Sequence, residues 1–206
     1  MKKFLLLNIL ITSFMLLSAA VFESANGEYQ PRVKLRSTYK SLYKSDHDGF
    51  QNLMIGKFGG NQEGGRVIEH NYKLETIDGD KVVIDSVTSL MWHQSGSTGF
   101  GITWQKAEEW VGKLNDKGYA GFRNWRLPTL EEAASLLRSG KDSGGLYIDK
   151  IFDSTQKYLW TGDIYKKKDR WFVDLNQGNI TWSSKYLYGF NRNLRANFVR
   201  PVRSHK

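Results

Sequence analysis

The chain has 206 residues, a formal net charge of +9 and no cysteine. That length fits one domain plus a tail, and the missing cysteine excludes disulfides, thiolate metal clusters and a lipidated cysteine anchor. Seven Trp, ten Tyr and eleven Phe supply the bulk of an ordinary apolar core, each ring able to bury about 150–250 Å².

Residues 1–20 read MKKFLLLNILITSFMLLSAA: two lysines, an apolar run, then small residues. This is the layout of a secretory signal peptide cleaved after Ala20. A membrane anchor is the alternative, although the run is shorter than the roughly 20 residues a spanning helix needs. Cleavage would leave no transmembrane segment and a mature chain that is secreted or periplasmic. The basic charge then points away from nucleic acid and toward an anionic polysaccharide, a lipid head group or an acidic protein.

Residues 21–70 read as a basic tail and glycine-rich loop region. Arg32, Lys34, Arg36, Lys40 and Lys44 occur there with little apolar periodicity, which suits a spacer, with a loosely docked arm as the alternative. GKFGGNQEGG (56–65) has no Ser or Thr after Lys57 and no GxxxxGK spacing, so it reads as a surface loop and not a phosphate loop.

From residue 71 the pattern tightens. NYKLETIDGDKVVID (71–85) alternates around Asp78-Gly79 and predicts a hairpin. Leu90, Met91 and Trp92 form a buried strand, and His93 beside them reads as a hydrogen-bonded structural histidine. Trp104, Ala107, Val111 and Leu114 recur at helical spacing over residues 103–114, with Gly118 just past the end.

In GFRNWRLPTLEE (121–132), Thr129 and Glu132 have capping-box spacing, predicting a helix over 130–137 with Leu130, Ala133, Ala134 and Leu137 inward. Pro128 biases Leu127 toward an extended conformation. Trp125 and Leu127 then point one way and Arg126 the other. Trp125 becomes a core anchor near Trp104 and Trp92, and Arg126 a donor to carbonyls or a helix carboxylate.

After Gly145, YLWTGDIY (158–165), RWFVDLNQGNITWSS (170–184) and NFVRPVR (197–203) are short aromatic and β-branched runs. Two helices packed on short antiparallel strands make an α+β domain. His47, His70, His93 and His205 fall in no triad or HExxH spacing, and no EF-hand loop occurs. No catalytic residue, metal or cofactor is therefore assigned, and a non-enzymatic role is expected.

VIDSVTSLMW (83–92), TWQKAEEW (103–110), NWRLPTLEE (124–132), YIDKIF (147–152), YLWTGD (158–163), RWFVDLNQG (170–178) and VRPVR (199–203) together resemble the Lcl C-terminal domain family over about residues 71–204. LRSTYKSL (35–42) is similar to an N-terminal extension of some members. The resemblance implies a C-type-lectin-like fold, related in architecture to formylglycine-generating enzymes. For the adhesin that names the family, it implies binding of sulfated glycosaminoglycans. The chain lacks the cysteine pair of those enzymes and the EPN- and WND-type calcium and sugar motifs of animal C-type lectins, and TWSS (181–184) does not replace them.

The late basic residues beside aromatics suit a sulfated sugar, with guanidinium forks on sulfate and rings on sugar faces. The candidate ligand residues are Lys166, Lys167, Arg170, Trp182, Lys185, Tyr186, Tyr188, Arg192 and Arg195, the last five in the 183–197 loop. KKKDR (166–170) also suits a solvated hairpin tip. Arg200 and Arg203 read as structural ion-pair partners. The expected function is an exported binding module for an anionic glycan or envelope polymer. The alternative is an envelope protein–protein interaction module.

Overall fold

The Asp78-Gly79 turn closes a hairpin of β1 (Tyr72–Ile77) and β2 (Asp80–Asp85), with Ile77 opposite Asp80. Its two turn residues have φ of 51° and 85°, the positive values that a two-residue type I′ loop requires. The computed structural model describes residues 33–42, 68–142, 144–167, 169–183 and 197–205. The signal-peptide reading, the glycine-rich stretch and the interior of the 183–197 loop lie outside the described residues.

β3 (Leu90–His93) pairs antiparallel with β2, and β7 (Val202–Ser204) pairs with β3, giving a four-stranded sheet β1-β2-β3-β7. β4 (Tyr158–Ile164), β5 (Arg170–Asp174) and β6 (Asn179–Ser183) form a second antiparallel sheet. Helix α1 (Trp104–Lys117) starts at Thr103, whose side chain accepts from Lys106 N, and ends at Gly118, whose φ of 72° is left-handed. Among the described residues no helix is long and apolar enough to cross a membrane.

Helix α2 (Leu130–Ser135) carries the anticipated capping box, with Glu132 N donating to Thr129 Oγ1 at 3.2 Å and Thr129 N to Glu132 Oε2 at 2.9 Å. It stops short of residue 137 because Leu136 N and Leu137 N bond back to Ala133 O and Ala134 O, the tighter i→i+3 pattern. Leu136 and Leu137 nonetheless stay buried.

The larger sheet is covered on both faces. Val83, Leu90 and Trp92 join α2 and the smaller sheet in one core, while Val82, Ile84 and Met91 join α1, Trp125 and Leu127 in another. Trp125 is the core anchor that alternation predicts, its indole N–H donating to Tyr119 O at 3.0 Å. Trp104 packs against the same core, but Trp92 lies on the opposite face of the sheet. Strand parity separates Trp92 from Met91 and His93, which corrects the expected Trp125–Trp92 neighbourhood.

Arg126 meets its expectation: its guanidinium forks onto Glu132 at 2.6 and 2.7 Å and also donates to Leu127 O. His93 is structural too, its Nδ1 accepting from Gly96 N at 2.8 Å and its ring stacked on Tyr119. Burial pushes His93 down to about 4, so the ring is a neutral acceptor.

Arg200 and Arg203 differ from the ion-pair expectation. Arg200 is fully buried, donates to the carbonyls of His93, Gln94 and Asp153, and lies over the Phe152 ring. Arg203 donates to Asn124 Oδ1 and Met91 Sδ and covers the Phe122 ring. Among the described residues, carbonyl, sulfur and ring acceptors, and no carboxylate hydrogen bond, hold these two cations, because the chain carrying them runs through the core.

The spacer reading of the tail also needs correction over residues 33–42. This strap bonds to the domain through Val33 N to Val87 O, Leu42 N to Ile164 O and Ile164 N to Lys40 O, and Leu42 is buried in the first core. The cause is specific: Arg36 pairs with the fully buried Asp163 at 2.7 Å.

Candidate functional site

The basic run after Tyr165 occupies the tip of the β4–β5 hairpin, closed by Tyr165 N to Asp169 O at 3.0 Å and Asp169 N to Lys166 O at 2.6 Å. Lys166 and Lys167 are exposed, and the Lys166 ammonium sits 5.1 Å from the Tyr165 ring centroid. Alternation along β5 sends Trp171 and Val173 into the core and leaves Arg170 half-buried on the other face.

Arg170 stacks on α1. Its guanidinium carbon lies 4.1 Å from the ring centroid of Trp104, and that indole donates to Thr161 O at 2.8 Å. One Arg170 terminal nitrogen contacts the carbonyls of Lys167 and Asp169, while its buried Nε has no hydrogen-bond partner among the described residues. Burial lowers the Arg170 pKa, against the opposing charges of Glu108 and Asp169.

Trp182 is brought to the same end of the sheet in a different role. It pairs with Trp171 across β5 and β6, so both rings face one side: Trp182 meets Trp171 edge-on at 5.5 Å and stacks on Tyr165 at 4.4 Å. One face of Trp182 is thus occupied by the buried Tyr165, and the residue forms a wall of the core on the face opposite Arg170.

Ser183, at the end of β6, is the register partner of Arg170, and Asn197 bridges Ile102, two residues before Trp104. Lys185, Tyr186, Tyr188, Arg192 and Arg195 lie outside the described residues. The structure thus keeps Lys166, Lys167 and Arg170 on one hairpin, and sets Trp182 with Trp171 on the face of the sheet opposite Arg170.

One contributor to the site and one exposed aromatic are not apparent from sequence. Trp104 belongs to the predicted apolar stripe, yet at the first helical position it extends to the smaller sheet and carries Arg170. Phe100 is 91% exposed, between Gly99 and Gly101; a large aromatic between glycines in a polar stretch was its available signal.

Two of the concavities among the described residues lie elsewhere. One, of about 270 Å³, is lined by His70, Tyr72, Arg138 and Asp149 among others. His70 Nδ1 lies 2.7 Å from the buried Asp85 and Nε2 2.7 Å from Ser135 O, which leaves neither ring nitrogen for a substrate. Burial pushes Asp85 upward, but hydrogen bonds from His70, Thr88 and Val87 N outweigh it and hold the carboxyl below its ordinary value. The other, of about 240 Å³, includes Asp142 and Lys150. There Lys150 N and Arg138 donate to the Asp142 carboxylate.

Among the described residues no group of three His, Cys, Asp or Glu is placed to hold a metal ion. Chemically, the β5–β6 end offers cationic donors beside aromatic rings. A family model, described as the Lcl C-terminal domain, matches residues 81–203. No curated protein and no solved structure matches the chain.

Proposed function

We propose that this chain, which belongs to the Lcl C-terminal domain family, is an exported, non-enzymatic binding module that recognises an anionic glycan or cell-envelope polymer on a C-type-lectin-like scaffold. The observation that carries the reading is that the β4–β5 hairpin holds two cations over rings, Arg170 over Trp104 and Lys166 over Tyr165. Cations held over rings suit a ligand with acidic substituents on an apolar sugar face. The contacts are partly exposed, so binding should weaken as salt rises.

The test is binding of the chain from residue 21 onward to sulfated, carboxylated and neutral glycans at low and physiological salt, with Lys166→Glu/Lys167→Glu and Arg192→Glu/Arg195→Glu variants. Selective binding at physiological salt, lost in the variants without a change in thermal stability, supports the reading. Equal retention of all variants on a polyanion column overturns it. Phe100, at 91% exposure, favours a second reading as an envelope protein–protein module. Capture of a partner that resists moderate salt and fails with Phe100→Ser would put that reading first.

A further inference from the structure

The strap over residues 33–42 is held as a peptide ligand is held. Asp163 is fully buried, and its carboxylate accepts both terminal nitrogens of Arg36 (2.9 and 2.7 Å), Lys40 N (2.5 Å) and Leu130 N (2.6 Å). Glu131 accepts Arg36 N at 3.0 Å and its Nε at 3.3 Å, and Thr129 Oγ1 donates to Arg36 O at 2.9 Å. Such a forked, charge-assisted contact selects arginine over lysine.

Three residues on, Tyr39 donates its hydroxyl to Leu127 O at 2.9 Å, and its ring lies on Gly162. A Cβ at Gly162 would stand 2.1–2.4 Å from atoms of the Tyr39 ring. Ser41 then forms a parallel bridge with Ile164, beside the outer strand β4 of the smaller sheet, and Trp171 donates its indole N–H to Leu42 O. An arginine socket, an aromatic shelf and main-chain pairing at a sheet edge are the parts of a strand-addition peptide site.

Its parts are divided along the chain. Every cleft residue named here, from Leu127 to Trp171, lies within the family-matched 81–203, whereas the strap lies outside it. Residues 43–67 connect strap and domain, a length that can reach at most about 80–90 Å. Reach therefore does not restrict the strap to its own domain.

We infer that the cleft floored by Gly162 and Asp163 is a docking site for an extended Arg-x-x-Tyr-Lys segment, and that residues 33–42 of a second copy can fill it in place of the chain's own. The inference does not depend on the glycan reading. The cis strap has the advantage of high effective concentration, so exchange becomes visible when one copy's strap is weakened.

The test uses full-length chains. A fluorescent peptide of residues 33–42 is titrated into the wild type, into Arg36→Ala/Tyr39→Ala, and into that variant with Gly162→Val. The expected result is binding to the double variant at least about tenfold tighter than to the wild type, and its loss when Gly162→Val fills the Tyr39 shelf. Mixing the double variant with Gly162→Val chains that keep an intact strap should give a heterodimer by native mass spectrometry. No peptide binding by a double variant whose near-ultraviolet circular dichroism is native overturns the site, as does binding indifferent to Gly162→Val. Peptide binding without any heterodimer overturns the exchange. If the double variant does not fold, Arg36→Lys serves in the same comparisons, because lysine keeps the charge but loses the fork.

Discussion

Replacing Arg126 by Met isolates the ion pair beneath α2. Glu132 is fully buried, and its carboxylate receives the Arg126 fork at 2.6 and 2.7 Å and Thr129 N at 2.9 Å. Without the fork, a buried carboxylate keeps one donor. Two charge-assisted bonds at about 1.5–3 kcal/mol each set the gross loss, offset by the roughly 2 kcal/mol of rotamer entropy that an arginine gives up. The net expectation is about 3 kcal/mol, at the lower edge of the range for breaking a buried pair. Arg126→Lys keeps the charge without the fork and should lose about 1–2 kcal/mol. Adding Glu132→Gln to the Met variant neutralises the stranded carboxylate and should recover part of the loss. Urea unfolding followed by tryptophan fluorescence, with an unchanged m-value, measures each term. A loss below about 1 kcal/mol for Arg126→Met, or equal losses for Met and Lys, refutes the reasoning.

Burial holds His93 at about 4 against an ordinary 6.5, so between those values the unfolded chain binds a proton that the folded chain refuses. Stability should therefore fall as pH drops through that window, by up to about 3 kcal/mol from this residue. His93→Gln, which keeps an acceptor for Gly96 N, should flatten the profile, and an unchanged slope of urea midpoint against pH would contradict it. Trp125→Ala removes a buried ring and a bond to Tyr119 O and should cost about 3–5 kcal/mol. A thermal and urea-unfolding loss below about 1 kcal/mol would remove Trp125 from the core.

What the sequence made legible was local. The Asp78-Gly79 hairpin pairs near neighbours about a single turn, and the Thr129–Glu132 capping box and the Arg126–Glu132 pair join residues at most six positions apart. The strap was not legible, because Arg36 and Asp163 are 127 positions apart and neither has a local pattern announcing the other. Trp92 was misplaced for a smaller reason: a sheet buried on both faces gives no apolar–polar alternation to tell its faces apart. In the candidate site, the lysines announced a hairpin tip, whereas the stack of Arg170 on Trp104 depended on how a helix start meets a strand from another part of the chain.

Those placements change what the net charge of +9 means. Arg36, Arg126 and Arg138 face carboxylates, and Arg200 and Arg203 lie inside among carbonyls, sulfur and rings. Burial draws Arg200 down to about 9, the mark of a cation placed for hydrogen-bond geometry, not for a field at the surface. Except for the exposed Arg138, these arginines organise the interior and its seams. An anion approaching the described surface at the β5–β6 end meets chiefly Lys166, Lys167 and Arg170. Three cations, two of them over rings, predict selective contact with modest salt dependence, whereas attraction by the whole charge would treat every polyanion alike. The glycan panel at two salt concentrations separates these cases, because only the first lets neutral features of the ligand matter.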